Sequence, residues 1–142
     1  MLSLQSPRRA HLAGSRFQSM LWHCMTYNRK ELLESVDGDQ EVAREVITIY
    51  LASAPLMLKA LSGALDQNDA AAVSDAAHAF KGALMMLRAH PAAAIAKEIE
   101  IAGRQGDLHT ARVQLPALNL EAQRLLSALL AYCDSPELDG AR

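Results

Sequence analysis

His78 lies in a stretch of the chain whose residue types and spacing could support phosphoryl chemistry. A neutral imidazole can attack phosphorus through a ring nitrogen, and the product holds the phosphoryl group as a phosphoramidate. Lys81 follows one helical turn later, so its ammonium can reach an anion placed on the ring. Gly82 comes next and costs about 1 kcal/mol relative to alanine within a helix. We therefore expect this glycine to admit close approach by another surface.

The residues around His78 have the pattern of an amphipathic helix. Apolar positions alternate at spacings of four and three, which places them on one stripe: Val73, Ala77, Phe80, Leu84 and Leu87. At about 100° per residue, His78 points roughly 150° away from the middle of that stripe. The helix is predicted to run to about Ala89, because His90 precedes Pro91 and a residue before proline avoids helical angles. The imidazole is therefore predicted to face solvent or a partner.

Mostly small residues share the outward sector with the ring, namely Ala71, Ser74, Lys81, Gly82 and Met85. Small neighbours leave the imidazole open to something large. Ala71 and Met85 could form part of an apolar collar on which a partner docks. Partial burial of Met85 against a neighbouring helix is an equally good interpretation.

The sequence His78-x-x-Lys81-Gly82 on an alanine-rich helix resembles the histidine-containing phosphotransfer (HPt) domain of multistep two-component phosphorelays. The resemblance covers roughly residues 28 to 133. Further matches lie upstream and downstream of the histidine: Leu32-Leu33 with Gly38-Asp39, Ala54-Pro55, and Glu100 with Gly103 and Gly106-Asp107. Two departures are expected to alter docking specificity. Ala83 stands where the family often has serine, and Arg88 stands where glycine is common.

The resemblance implies a function and a set of roles. His78 would accept a phosphoryl group from an aspartyl phosphate on the receiver domain of a hybrid histidine kinase. It would then relay the group to the receiver of a response regulator. Lys81 would stabilise the phosphoryl group, while the receiver would dock on Gly82, Ser74, Ala71 and Met85 and would supply the Mg²⁺. The alternative is a helical adaptor that binds a receiver or a kinase without being phosphorylated.

Glu100 lies 22 residues after His78 and has two interpretations. In HPt domains an acidic or amide side chain at about this distance often orients the ring, by accepting the hydrogen of one nitrogen so that the other is free to attack. Glu100 can instead form ordinary helical ion pairs with Lys97 and Arg104. The local spacing favours the ion pairs.

Composition predicts one all-α domain. The chain has 142 residues, enough for one core of ordinary size. Aromatic residues make up only 4%, while aliphatic residues dominate, which favours packed helices over a sheet. The net charge is −2, but residues 1–30 carry five basic residues and no acid. The acidic remainder argues against a nucleic-acid-binding domain.

The sequence lacks the motifs of several other classes. Cys24 and Cys133 are far apart, so we expect no disulfide framework and a cytoplasmic protein. Neither the histidines nor the cysteines have metal-ligand spacing, and there is no Gly-rich lysine loop for ATP. No apolar run approaches the ~20 residues that cross a bilayer. We therefore expect a monomeric phosphocarrier that is not an enzyme and has no metal, cofactor or membrane span of its own.

The predicted fold is an antiparallel four-helix bundle with short additional N-terminal helices. Residues 1–27 form a leader in which an amphipathic helix is predicted over 16–27, with its apolar positions at Phe17, Met20, Leu21, Cys24 and Met25. Residues 28–133 form the bundle domain, and 134–142 a polar tail. Short connections between amphipathic helices favour antiparallel neighbours.

Two helix starts are predicted at the beginning of the bundle. Asn28 and Glu31 read as a reciprocal capping box that opens a short helix, ending at Gly38 and covering one end of the bundle. Asp39 caps the next helix, which we treat as one bent element through Pro55. Its predicted inward positions are Val42, Val46, Ile49 and Tyr50.

Overall fold

The computed structural model describes residues 26–134, and every regular element in that range is an α-helix. The helices are α1 (Arg29–Ser35), α2 (Gln40–Asp66), α3 (Ala70–Met86), α4 (His90–Arg104) and α5 (Leu108–Asp134). The polar tail and nearly all of the amphipathic segment 16–27 lie outside the described residues. Tyr27 is described and is 2% exposed, so it belongs to the core rather than to the leader.

Helices α2 to α5 form the four-helix bundle, and the predicted all-α fold is confirmed. Consecutive helices pack on one another, and α5 returns to contact α2. All five apolar positions predicted for the stripe of α3 are fully buried. The ring of Phe80 stacks on Tyr50 of α2 with centroids 6.2 Å apart. This stripe fixes the rotation of α3 and so the direction in which His78 points.

Side-chain caps begin the helices at the predicted places, with one correction. Asp39 accepts hydrogen bonds from the backbone N–H groups of Glu41 and Val42, and Asn28 accepts one from Glu31. The reciprocal half of the capping box is wrong. The N–H of Asn28 donates to the carbonyl of Arg88, and the Glu31 carboxylate contacts His90 Nε2 at 2.8 Å. These two contacts hold α1 against the α3–α4 connection as a cover on one end of the bundle.

The predicted inward face of α2 is partly wrong. Tyr50 is buried, but Val42 is 38% exposed and Ile49 is 66% exposed, while Ala43 and Ile47 are fully buried in their place. Apolar residues occur nearly all round this helix, so their period alone does not fix which side faces the core. The helix does continue through Pro55 as one element. The structure therefore leaves large apolar side chains of α2 on the surface.

Helix α2 is also the one described helix that is long and apolar enough to cross a membrane, with a mean hydropathy of 1.5 over its best window. Length and composition are the whole of this evidence. A helix that contributes to the core of a bundle passes the same test.

Helix α3 ends three residues earlier than predicted, at Met86. Arg88 adopts a left-handed conformation with φ +58°, and the N–H of Ala89 returns to the carbonyl of Leu84 at 2.9 Å. This geometry is the usual way for a helix to end, and glycine adopts it at least cost. The glycine that the family commonly has at this position is thus explained by the left-handed backbone conformation needed there. Arg88 meets it at a cost of about 1 kcal/mol.

Candidate functional site

His78 lies on the outer face of α3, and its side chain is 68% exposed. The residue before it, Ala77, and the ring of Phe80 are fully buried. The outward direction predicted from the helical period is confirmed. The imidazole therefore stands on a rigid, well-packed helix and is open to solvent.

Glu100 of α4 contacts the ring across the α3–α4 interface. Its Oε2 lies 2.9 Å from His78 Nδ1, and its Oε1 accepts a hydrogen bond from Lys81 Nζ at 2.8 Å. The expected ion pair with Arg104 also forms, through Nη2 at 2.7 Å from Oε2. Glu100 is only 4% exposed, and the contact with His78 and the ion pair with Arg104, which the sequence offered as alternatives, occur together. One buried carboxylate joins three side chains.

The contacts of Glu100 keep it ionised. The hydrogen bond from Lys81 is the largest cause that lowers the pKa of the carboxyl below its usual value of 4.5, and the one from His78 also lowers it. An ionised carboxylate can only accept hydrogen bonds, so the proton of the neutral ring lies on Nδ1. The lone pair is then on Nε2, the nitrogen available to attack an electrophile.

A close contact between α3 and α4 brings Glu100 within reach of His78. Gly103 is buried one turn after Glu100, and a Cβ added there would lie 2.8 Å from the backbone nitrogen of Ser74. Glycine at this position lets the two backbones approach. Gly103, which the sequence analysis noted only as part of the family resemblance, therefore has a packing role. Ser74 faces this contact and is only partly exposed.

An apolar groove of about 450 Å³ opens on the other side of His78, between α2 and α3. Its walls are mainly apolar, and α2 supplies half of them: Val46, Ile49, Tyr50, Ser53 and Met57 from α2, with His78, Ala79, Gly82, Ala83 and Met86 from α3. A Cβ added at Gly82 would meet nothing within 4 Å, so the glycine opens space beside the ring. The imidazole therefore stands at the rim of a surface that a partner can fill.

The predicted docking residues divide into three groups. Gly82 lines the groove, together with Ala83, one of the two departures from the family pattern. Ala71 and Met85 are exposed on α3 but do not line it. The backbone of Ser74 lies against Gly103 of α4, and Ser74 does not line the groove.

The sequence analysis did not identify the residues of α2 that line this groove, of which Ile49 is the most exposed large side chain. A signal was present in the sequence: α2 has more apolar residues than a single buried stripe needs, which indicates that some of them form an exposed apolar surface.

Within residues 26–134, no group of three His, Cys, Asp or Glu side chains is placed to hold a metal ion. The functional atoms of the site are instead a nucleophilic nitrogen, one carboxylate and two cations.

An exposed imidazole on a four-helix bundle, oriented by a buried carboxylate, defines a histidine-bearing helical module. A protein-family model described as the Hpt domain matches residues 45–129, more than half of the chain. The chain belongs to the Hpt domain family. Hpt domains are phosphocarrier modules of two-component systems, distinct from kinases, and they interact with receiver domains in phosphorelays. No curated protein and no solved structure matches the chain.

We expect the change Glu100→Gln to slow phosphoryl uptake from a phosphorylated receiver by about ten-fold, as loss of an orienting partner commonly does. An amide oxygen can still accept from Nδ1, but the negative charge that balances a positive ring is gone. The rate of label uptake from a phosphorylated receiver measures this effect. Glu98→Gln on the exposed face of the same helix is the matched control and should leave the rate unchanged.

The same variant should change the acid sensitivity of the fold. Because the pKa of Glu100 is lowered on folding, its ionised form stabilises the protein above pH 4.5, and this stabilisation is lost as pH falls below that value. Glu100→Gln should therefore be less stable than the parent at pH 7, and the difference should shrink toward pH 3. Urea unfolding between pH 7 and pH 3 measures this difference in the free energy of unfolding. A difference that stays constant over that range would show that Glu100 does not stabilise the fold through its ionised form.

Proposed function

We propose that His78 accepts a phosphoryl group from the aspartyl phosphate of a hybrid histidine kinase receiver and relays it to the receiver of a response regulator. One observation carries the proposal. The His78 side chain is 68% exposed, and its Nδ1 lies 2.9 Å from a buried, ionised carboxylate, which leaves Nε2 as the nitrogen with a free lone pair. Such a ring is a preoriented nucleophile with one reactive atom.

The chemical step needs little from this chain. The Nε2 lone pair attacks phosphorus, the N–P bond forms, and the bond between phosphorus and the aspartyl oxygen breaks to release a carboxylate. The ring keeps the proton on Nδ1 and becomes positively charged, and Glu100 balances that charge. In the second transfer, the aspartate of another receiver attacks phosphorus, the N–P bond breaks, and its electron pair returns to Nε2. Mg²⁺ and the remaining catalytic groups would belong to the receiver.

Two cations lie next to the ring. The ammonium of Lys81 is bound to Glu100 and its side chain is 26% exposed, whereas the Arg104 side chain is 66% exposed and binds the same carboxylate oxygen as His78 Nδ1. A phosphoryl group on Nε2 brings negative charge to this cluster. Lys81 therefore stabilises it through the electrostatic field of the cluster, and the freer guanidinium of Arg104 adds to that field.

The groove between α2 and α3 is the proposed receiver-docking surface. His78 and Gly82 both line this groove, so a receiver seated there would bring its aspartate close to the ring. We also propose that the protein acts as a monomer in the cytoplasm, since a carrier must reach soluble receivers with its histidine uncovered.

Incubation with a phosphorylated receiver separates the carrier from a binding-only adaptor. A carrier takes up label that is labile in acid and stable in base, as a phosphoramidate is, and passes it to a second receiver. An adaptor binds the receiver with no transfer of label. Stable binding without label would therefore reject the proposal.

We expect Ile49→Asp to weaken receiver docking by at least about ten-fold, because it places a charge in an apolar surface that binding desolvates. The residue is 66% exposed, so folding should be affected little. Val113→Asp on α5 is the matched control: it is 60% exposed and lies outside this groove. Titration of the receiver by calorimetry measures both, and equal losses would place the docking surface elsewhere.

A further inference from the structure

A second apolar groove, of about 320 Å³, lies between α2 and α5. Its lining residues carry no charge, and they include Leu51, Ala54 and Leu58 of α2 and Ala122 and Leu126 of α5. Leu126 and Leu130 follow one another at a spacing of four along α5 and are 44% and 45% exposed. The apolar surface thus continues from the groove toward the C-terminal end of α5.

The chain enters the described domain at that same end. Tyr27 is buried in the same apolar cluster as Tyr132 near the end of α5, and the N–H of Asn28 donates to the carbonyl of Arg88 at the α3–α4 connection, the end of the bundle toward which α5 runs. Burial raises the pKa of Tyr27 to about 12. The chain therefore enters the domain at the C-terminal end of α5, toward which the exposed leucines continue.

The residues that precede this anchor have the right chemistry and length for the groove. Positions 16–25 place five apolar residues at helical spacing and contain no acid. Ten helical residues span about 15 Å, and Asn119 at the far end of the groove is about 20 Å along α5 from Tyr132. Covalent attachment also gives the segment an effective concentration of about millimolar, which favours it over a second copy.

We propose that residues 16–25 dock in the groove between α2 and α5, with Phe17, Met20 and Leu21 against its apolar walls. The segment then runs parallel to α5 and ends at Tyr27. It covers the side of α2 that does not face His78, so the receiver-docking groove between α2 and α3 stays open. The basic residue Arg16 brings positive charge to an acidic domain.

A nitroxide spin label on the full-length protein tests this placement. The label is attached at Ser19→Cys, on the polar side of the segment, with Cys24 and Cys133 changed to alanine. We expect the amide signals of Ala54, Ala122 and Leu126 to lose at least half of their intensity, whereas Lys97 on α4 keeps its own. Uniform intensities across both faces would overturn the proposal.

Three substitutions and one mixed sample test which occupant fills the groove. Leu126→Arg, or Leu130→Arg, should restore the lost signals because either variant puts a charge in the path of the segment. Val113→Arg on the same helix should not. A mixture of spin-labelled chains with isotope-labelled chains that carry no spin label should show no broadening. Broadening in that mixture would mean that a second copy fills the groove, and the proposal would be wrong. Phosphoryl uptake by His78 is measured separately and does not depend on this outcome.

Discussion

His78→Gln should abolish phosphoryl uptake from a phosphorylated receiver, with a loss of at least about 10³-fold, because it removes the nucleophilic nitrogen. The fold should be preserved. The side chain is 68% exposed, and a glutamine amide can still donate to Glu100. Incorporation of labelled phosphate after a fixed time measures the effect.

Two controls make the result specific. His109→Gln changes another exposed histidine, on α5, and should take up label as the parent does. The receiver should bind His78→Gln with nearly unchanged affinity, because the other nine residues that line the groove between α2 and α3 are unchanged. Label on His78→Gln at the parental level would show that the acceptor is another residue.

Gly103→Ala should destabilise the protein by about 1–3 kcal/mol, the usual cost of overpacking. The added Cβ would lie 2.8 Å from the backbone nitrogen of Ser74 and 3.1 Å from the carbonyl oxygen of Ala70. Backbone atoms of a packed helix cannot move aside as a flexible side chain can, so α3 and α4 must separate. The better helix propensity of alanine offsets at most about 1 kcal/mol.

Gly63→Ala is the matched control, since Gly63 lies within α2 and a Cβ there meets nothing within 4 Å. It should stabilise the protein by about 0.5–1 kcal/mol. Urea unfolding measures both variants. Gly103→Ala should also slow phosphorylation, because separation of the helices draws Glu100 away from His78. A parental midpoint and rate for this variant would rule out the close contact.

The sequence predicts α3 well and α2 poorly, for a physical reason. On α3 the apolar stripe is bordered by polar and small residues, so only one rotation buries it. On α2 apolar residues occupy most of the circumference, and several rotations bury a similar area. Ile49 was therefore predicted to be buried, and it lies instead on the surface beside His78.

The role of Glu100 depends on a relation that no local pattern contains. Spacing along α4 shows that Arg104 can pair with it, and this pair forms. Contact with His78 depends on how closely, and in what register, α4 lies against α3. Gly103 of α4 permits this close approach, because a Cβ there would meet the backbone of Ser74 on α3. Glycine near the end of a helix usually suggests termination, so its packing role was visible only in three dimensions.

The charges gathered at Glu100 imply a change in electroneutrality during the relay. With the ring in the neutral form that attacks phosphorus, Lys81 and Arg104 outweigh the single carboxylate by one positive charge. A phosphoryl dianion on a protonated ring then adds one net negative charge, which cancels the excess. The reaction thus removes the net positive charge of the cluster formed by Lys81, Arg104 and Glu100 beside the ring. Long-range attraction to an anionic partner is strongest before the phosphoryl group arrives and weakest once it is bound, so added salt should slow loading more than it slows release.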